Sequence, residues 1–259
     1  MSRSGESAAK FLLRRGAEVY LYDDVESDRI TEVMNSLEEA GAHRVRQDGL
    51  DGIADGCDIL VLSPGIPIDN PLPLAFGRRG KAVIGEEELG ALFLRATSVA
   101  VTGTNGKTTT VTMIDDILRA QGKNSVLCGN VGNPLVNEAE NLGFDDFAVI
   151  EVSSFQLETL SSLRPHVAVI TNITEDHLNR HYNMENYIFL KGKLLRNLRG
   201  SEYAVLNYDD PIVRSFAEKI RCRVIWFSMQ PRTDGVWCEN GAVYCDGARL
   251  FSVSDMKTE

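Results

Sequence analysis

The chain has 259 residues, of which 43% are apolar and 25% charged, and its formal net charge at pH 7 is −10. That length accommodates two domains of ordinary size with a globular composition. The acidic balance argues against a nucleic-acid binder, which would present a basic face, and no apolar run approaches the roughly 18 residues that a membrane helix needs.

In chain order, strands and helices alternate. "SGESAAKFLLRRG" predicts a helix with Ser4 as N-cap and Gly16 as its stop. "AEVYLYDD" predicts a strand ending in acids. "RITEVMNSLEEAG" places Ile30, Val33, Met34, Leu37 and Ala40 on one helical face. "CDILVLSPG" is a continuous apolar run followed by a turn, the pattern of a buried parallel strand. The Pro-rich stretch "SPGIPIDNPLP" comes next, then a short strand, "KAVIG", and a helix, "EEELGALFLRA". The front helix starts almost at Met1 with no strand before it, so the anion-binding turn that such a strand would complete is only half present.

A second alternating series begins near Ser98. Strands are predicted at "SVAVTG", "NSVLCGN", "FAVIEVSS", "HVAVITNI", "YAVLNYDD" and "RVIWFS", with helices between them. Past Met229 the texture changes to "GVWCENGAVYCDGARLFSV", where Asn240-Gly241 signals a hairpin between alternating strands. The boundary falls near residues 95–98, and both parts read as doubly wound α/β units. No internal repeat or low-complexity segment is evident. Cys57, Cys128, Cys222, Cys238 and Cys245 form no C-x-x-C pair, as expected of reduced cytosolic thiols. The N-terminus lacks the charged-then-apolar profile of a secretory signal.

The chemistry concentrates at strand ends. "SVAVTGTNGKTTTV" holds a Gly-Lys-Thr between a strand and a helix, the context of a phosphate-binding loop, but with its first glycine at Gly103, three residues before Gly106. Gly103 and Gly106 let the backbone turn N–H groups toward an anion, Lys107 can reach the β and γ phosphates, and the Thr108 hydroxyl can meet Mg²⁺. Glu151 ends the strand in "FAVIEVSSFQLE", and Asp176 and His177 follow the next strand in "HVAVITNITEDHLNRH". Ligands gather at the carboxyl ends of parallel strands, and acids there suit a magnesium ion beside a triphosphate.

"GTNGKTTT", "GNVG", "EVSSFQLE" and "NITEDHLNRH" together resemble the central ATPase domain of the Mur ligase family, whose own form of the loop is the shortened G-T-N-G-K-T. "SGESAAKFLLRRGAEVYLYDD" and "LSPGIP" resemble that family's uridine-nucleotide domain. The resemblance implies a Rossmann-like UDP-substrate domain at residues 1–96, lacking its first strand. A doubly wound P-loop ATPase-type domain would follow at 97–259, with a small β-hairpin region at its C-terminal end. It implies a bacterial, cytoplasmic and monomeric enzyme that touches neither nucleic acid nor membrane. Its activity would be ATP-dependent: it phosphorylates the carboxylate of UDP-N-acetylmuramoyl-L-alanine to an acyl phosphate, which the amine of D-glutamate attacks in peptidoglycan precursor synthesis.

The same resemblance implies the site residues. ATP would be held by Gly103, Thr104, Asn105, Gly106, Lys107, Thr108 and Thr109. Two Mg²⁺ ions would be held by Thr108 and Glu151 and by His177, with Lys191 of "NYIFLKGKLL" carbamylated into an oxygen ligand; Lys193 faces elsewhere. Lys107, His177 and Lys191 would be catalytic. Asn130, Ser153 and Ser154 would meet the muramoyl substrate, and Ser4, Gly5, Ser7, Asp23, Asp24, Ser63 and Gly65 the UDP end. From the residues alone, Asp23 and Asp24 read equally as a helix-entry turn and Lys191 as a solvated lysine. The family's C-terminal domain, with its D-glutamate contacts, is expected to be absent, which leaves an inactive nucleotide-binding fragment as the alternative, or a ligase like folylpolyglutamate synthetase.

Overall fold

The computed structural model describes residues 2–231 and 234–256. Helix α1 (Arg3–Arg14) starts earlier than its pattern suggests. Ser2 is the N-cap, its hydroxyl accepting from Gly5 N at 3.3 Å, and Ser4 lies inside the first turn. Strand β1 (Tyr20–Leu21) pairs in parallel with β2 (His43–Arg44), and α2 (Asp28–Glu39) crosses between them. On the predicted face of α2, Met34 and Leu37 are buried, whereas Ala40 is the exposed C-cap.

After α3 (Leu50–Gly56), strand β3 (Ile59–Leu62) pairs in parallel with β4 (Ala82–Gly85). Between them the Pro-rich stretch forms α4 (Pro71–Arg78). Pro71 and Pro73 sit in its first turn, where no intrahelical N–H is required, so the prolines start the helix rather than forbid it. Among the described residues no strand joins the two pairs, so the doubly wound sheet expected of the front unit is present as two separate two-stranded sheets. With a single hydrogen-bonded neighbour, β3 is not the buried strand that its apolar run suggests: Ile59 is exposed and only Leu62 is fully buried.

Helix α5 (Glu86–Phe93) begins with three carboxylates, all buried. Glu86 accepts from Val136 N at 2.8 Å, Glu87 from Gln156 Nε2 at 2.8 Å, and Glu88 from Ser161 N and Oγ, both at 2.7 Å, and from Ser162 N. Burial pushes Glu86 up to about 6, and pushes Glu87 up as well, with the neighbouring Glu86 adding to it.

The rest of the chain builds one sheet of nine strands, ordered β13-β12-β11-β10-β9-β8-β5-β7-β6. Its parallel part comprises β5 (Thr97–Thr102), β6 (Ser125–Gly129), β7 (Phe147–Glu151), β8 (Val167–Ile170), β9 (Tyr203–Asn207) and β10 (Arg223–Ser228). Strand β11 (Val236–Glu239) continues in parallel beside β10, then β12 (Ala242–Cys245) and β13 (Ala248–Ser252) return antiparallel. Asn240 and Gly241 both have positive φ, as a two-residue hairpin turn between right-twisted strands requires. This hairpin region therefore extends the sheet rather than standing apart from it.

Successive strand residues point to opposite faces, and both faces are covered. Ala100, Ile150, Ala168 and Ile170 face a core shared with Leu157, Tyr187, Leu194 and Val213. Val101, Val149 and Val169 face Val111 of α6 (Lys107–Ala120). The remaining helices are α7 (Leu135–Glu138), α8 (Ser154–Thr159), α9 (Leu178–His181), α10 (Met184–Gly192) and α11 (Pro211–Ser215). No helix of the described residues is long and apolar enough to cross a membrane, and all five cysteines are free thiols.

Where α5 crosses α7, Gly90 is the contact. A Cβ there would lie 2.8 Å from Leu135 Cγ and 2.8 Å from Val136 N. Gly→Ala inside a helix ordinarily stabilises by about 0.5–1 kcal/mol. Gly90→Ala is expected to do the reverse, destabilising by about 1–3 kcal/mol through overpacking, read as a lower urea midpoint. An unchanged or raised midpoint would remove the close α5–α7 contact.

Candidate functional site

Strand β5 runs into the loop Gly103–Gly106, and α6 leaves it at Lys107. Gly103 has φ +149, and a Cβ there would fall 1.9 Å from Thr171 Oγ1. The loop is thus pressed against the end of β8, which is why its first glycine stands at 103. Thr104 N donates to Asn172 O at 2.8 Å and Asn105 N to Asn172 Oδ1 at 2.9 Å. Gly106, at φ +82, turns the chain into α6.

The Lys107 ammonium lies within the curve of the loop, donating to Gly103 O at 3.0 Å and Thr104 O at 2.8 Å. One residue on, Thr108 Oγ1 donates to Glu151 Oε2 at 2.7 Å. Asn130 Nδ2 donates to the other oxygen, Oε1, at 2.7 Å. Thr109 is exposed on the first turn of α6. Glu151 is 2% exposed. A buried carboxylate held by a hydroxyl and an amide, with no cation hydrogen-bonded to it, is an oxygen donor set that suits a hard divalent ion. Thr108 and Glu151 fit Mg²⁺ in this respect. Among the described residues no group of three His, Cys, Asp or Glu side chains gathers to hold a metal by itself, so further ligands would have to come from phosphate, water or a modified side chain.

Lys191 is not a solvated lysine. It is 1% exposed and donates to Thr102 Oγ1 at 3.1 Å and Gly103 O at 2.8 Å, beneath the loop. Burial, and after it the Lys107 ammonium, bring its pKa down to about 7 against the pull of Asp176 and Glu151. Lys193 does face elsewhere, donating to Glu158 O at 2.9 Å and to Leu157 O. His177 caps α9 at φ 51, half-exposed, with its ring 5.0 Å from Phe155 and Nε2 3.4 Å from Asp176 Oδ2. Phe155 directly follows Ser153 and Ser154, so His177 stands beside the start of α8, where Ser153 is half-buried and Ser154 is buried with its hydroxyl 2.9 Å from His181 Nε2.

The residues expected at the UDP end are only partly assembled. Ser2 Oγ meets Ser63 Oγ at 2.7 Å, which brings the start of α1 to the "SPG" loop. Ser7 is buried and accepts from Asn137 Nδ2 at 3.0 Å, a packing contact. Gly65 O accepts from Arg180 at 3.1 Å. Asp23 accepts from Val25 N at 3.0 Å within its own turn, and Asp24 is exposed beside it. The sequence reading missed Arg3, which donates to Gly132 O at 2.9 Å and Asn133 Oδ1 at 2.6 Å and so ties α1 to the loop after Asn130. It also missed Arg180 and His181, which lie within the quoted "DHLNRH"; the burial of His181 carried no periodic signal.

A strand–loop–helix with lysine and threonine at the head of the helix, facing a carboxylate on the neighbouring strand end, defines a nucleotide-binding α/β domain of the phosphate-loop class. Residues 101–259 match the family model described as "Mur ligase middle domain". The chain belongs to the Mur ligase family.

It is 43% identical over 243 residues to the UDP-N-acetylmuramoylalanine--D-glutamate ligase of Pelotomaculum thermopropionicum, covering 93% of this chain and 53% of that protein. It is 38% identical over 255 residues to the ligase of the same name from Thermoanaerobacter sp., covering 97% of this chain and 54% of that protein. The chain thus spans about half the length of the curated relatives it matches. Among solved structures, it superposes with a TM-score of 0.60 at 19% identity on the UDP-N-acetylmuramate:L-alanyl-gamma-D-glutamyl-meso-diaminopimelate ligase from Neisseria meningitides, covering 94% of this chain and 81% of that one. MurF ligase from Thermotoga maritima, solved in complex with ADP, gives 0.53 at 13% identity over 90% of this chain and 57% of that one. These likenesses carry the fold.

The depressed Lys191 fixes a pH dependence. Its folded pKa of about 7 lies below the unfolded value of about 10.4. Between the two the unfolded chain binds the extra proton, so stability rises with pH; below about 7 the full penalty for a buried ammonium is present. In carbon-dioxide-free buffer the wild type is expected to gain stability relative to Lys191→Met between about pH 7 and pH 9, read from urea midpoints. Parallel curves for the two proteins would rule out a buried, depressed lysine.

Proposed function

We propose that the chain forms the substrate-binding and ATP-binding portions of a ligase that joins D-glutamate to UDP-N-acetylmuramoyl-L-alanine in bacterial cytoplasmic peptidoglycan precursor synthesis. Residues 1–96 would take the UDP end and residues 97–259 the ATP. One observation carries this reading: the loop, Thr108, Glu151, Asn130 and Lys191 meet at the carboxyl ends of the parallel strands of one sheet, in a chain of this family whose relatives bear that ligase's name.

The γ-phosphoryl group of ATP passes to the carboxylate of the alanyl residue: a carboxylate oxygen–phosphorus bond forms and the bond to the ADP oxygen breaks. The amine of D-glutamate then attacks the acyl carbon, phosphate leaves, and an amide remains. Such transfers depend on positioned charge. Lys107 and the N–H groups at the head of α6 hold the phosphates, those of Thr104 and Asn105 being spent on Asn172. Thr108 and Glu151 would hold one Mg²⁺, and His177 and a carbamylated Lys191 the second; the ions supply neutralisation of charge gathering on the transferred group. Asn130, Ser153 and Ser154 meet the muramoyl-alanine arm, and Ser63 and Gly65, with the first turn of α1, the UDP end.

A lysine of pKa about 7 has a substantial share of free amine at neutral pH, the form that adds to carbon dioxide with loss of a proton. Placed under the loop with no carboxylate hydrogen-bonded to it, it gains a use for the anionic oxygens so formed. With ¹³C-bicarbonate, a carbamate resonance is expected in the wild type and not in Lys191→Arg. In the complete enzyme, Lys191→Ala loses activity that acetate partly restores. No carbamate and no rescue would remove this role.

The nucleotide reading rests on Lys107. Lys107→Ala is expected to weaken Mg-ATP binding at least about tenfold, roughly 1.4 kcal/mol, with the far-ultraviolet circular dichroism unchanged. Calorimetry giving equal affinity for both proteins would sink the phosphate-cradle assignment.

A further inference from the structure

Helix α9 is a single turn, and the backbone has positive φ at both of its ends. His177 enters it at φ 51, ψ 31, and Tyr182 leaves it at φ 68, ψ −42. Neither residue is glycine. At Tyr182 the conformation is a γ-turn of positive φ, closed by Asn183 N donating to His181 O at 2.8 Å, and that turn is rare and strained. Tyr182 is 70% exposed, so burial of its ring does not offset the strain. Such residues persist only where surrounding contacts over-determine them.

From its own side the turn is supported by Asn186 Nδ2, which donates to His181 O at 3.1 Å. The other contacts come from the front part of the chain. The Tyr182 hydroxyl donates to Asp69 Oδ2. Two residues earlier, Arg180 uses all three guanidinium nitrogens. Nε and Nη2 donate to the two oxygens of Glu158 at 2.9 and 2.6 Å, Nη1 to Gly65 O at 3.1 Å, and Nη2 also to Ile66 O at 3.0 Å. This side chain is 13% exposed, with its guanidinium carbon 5.1 Å from the centre of the Phe155 ring. Gly65, Ile66 and Asp69 all belong to the loop 63–70 between β3 and α4. The loop has a turn of its own, Ile66 N donating to Ser63 O at 3.0 Å. Arg180 grips that turn, and Tyr182 grips the end of the loop next to α4.

We propose that Arg180 and Tyr182 are positioning residues that form a two-point clasp, by which loop 63–70 and the His177 turn hold each other in place. A planar fork bonded to two carbonyls and a carboxylate fixes the direction of the loop as well as its distance. The phenol contact adds a second point, which stops rotation about the first. His177 lies three residues before Arg180, so the "SPG" turn and His177 move as one piece. The clasp stands on these contacts alone. Its consequence, that a molecule seated on the "SPG" turn is felt at the His177 turn, rests on the function proposed above.

Amide hydrogen exchange, read residue by residue by NMR, tests the clasp without ligand. The reporters are the N–H groups of His181, Tyr182 and Asn183 on one side and of Ile66 and Asn70 on the other, each hydrogen-bonded within its own turn. Tyr182→Phe, Asp69→Ala and Arg180→Lys are each expected to speed both groups at least about fivefold. Amides of β5, β7 and β8 are expected to keep their wild-type rates. Tyr182→Phe combined with Asp69→Ala is expected to match either change alone, because the same contact is lost only once. Reporters at wild-type rates in Tyr182→Phe and Arg180→Lys overturn the clasp. So does multiplication of the Tyr182 and Asp69 effects. Tyr182→Phe alters an exposed side chain, so faster exchange throughout the central sheet in that variant overturns it as well. Saturating UDP tests the consequence. In the wild type it is expected to slow both groups of reporters, and in Tyr182→Phe combined with Arg180→Lys only Ile66 and Asn70. Slowing at His181–Asn183 that survives loss of the clasp overturns the coupling. If UDP does not bind the wild type, the substrate reading fails, while the ligand-free rates still decide the clasp.

Discussion

Strand β5 is hydrogen-bonded on both sides, to β7 and to β8, and both pairings are parallel. Val101 stands opposite Glu151 on one side, and Thr102 opposite Ile170 on the other. Because all three strands run the same way, their next residues emerge at one height. The loop, the carboxylate and the Thr171–Asn172 turn are therefore neighbours without any of them having to reach. Thr102 Oγ1 donates to Val152 O at 2.7 Å and Thr104 N to Asn172 O at 2.8 Å, so the loop is stitched to both flanking strand ends. A one-residue slip in either pairing would invert which side chains face the helices and separate Glu151 from Thr108. The register is held by the apolar residues on both faces of these strands.

The same place concentrates charge away from water. Lys191 and Glu151 are 1% and 2% exposed, and neither is hydrogen-bonded to an opposite charge. Each is instead satisfied by neutral groups: hydroxyls, an amide and a backbone carbonyl. Unpaired buried charge is unfavourable, and here it has moved the pKa of the lysine rather than recruited a partner. Perturbed groups of this kind cluster at functional sites.

Much of this was legible from the sequence. Continuous apolar strands ending in Gly-Lys-Thr, Glu and Asp-His located the strands of the central sheet and the residues at their ends, because a parallel strand buried on both faces leaves a distinct run. Other features carried no periodic signal. The prolines at 71 and 73 did not announce α4, since their tolerance in a first helical turn depends on where the helix begins. Ser4 looked like a cap because Ser2 and Ser4 are chemically equivalent until the backbone chooses. The front strands were over-read, because an apolar run does not reveal how many neighbours it has. Nothing in the sequence marked the acids at 86–88 as buried, because their partners lie 50 to 74 residues away. The same holds for His181 and Glu158, which only the folded chain brings together.

Those distant partners explain how the front of the chain is seated. Glu86 reaches α7, Glu87 the first turn of α8, and Glu88 the turn after α8. Arg3 reaches Gly132 and Asn133, and Arg180 reaches back to Gly65 and Ile66. Three of these five contacts land on segments beside candidate site residues: Arg3 near Asn130, Glu87 near the Ser153–Ser154 pair, and Arg180 between His177 and the "SPG" loop. All involve ionisable side chains, and the three glutamates make theirs out of water, where burial has pushed Glu86 and Glu87 toward the neutral form. The front part of the chain is thus held partly by the rim of the site and partly away from it, by the pairs of Arg14 and Arg15 with Glu140 and the packing of Phe11 and Leu89 on Val136. A molecule that bridged the "SPG" loop and the strand ends would lie across a joint already fixed in position. It would gain orientation without having to order the two parts first, which is where pre-organisation contributes most to affinity.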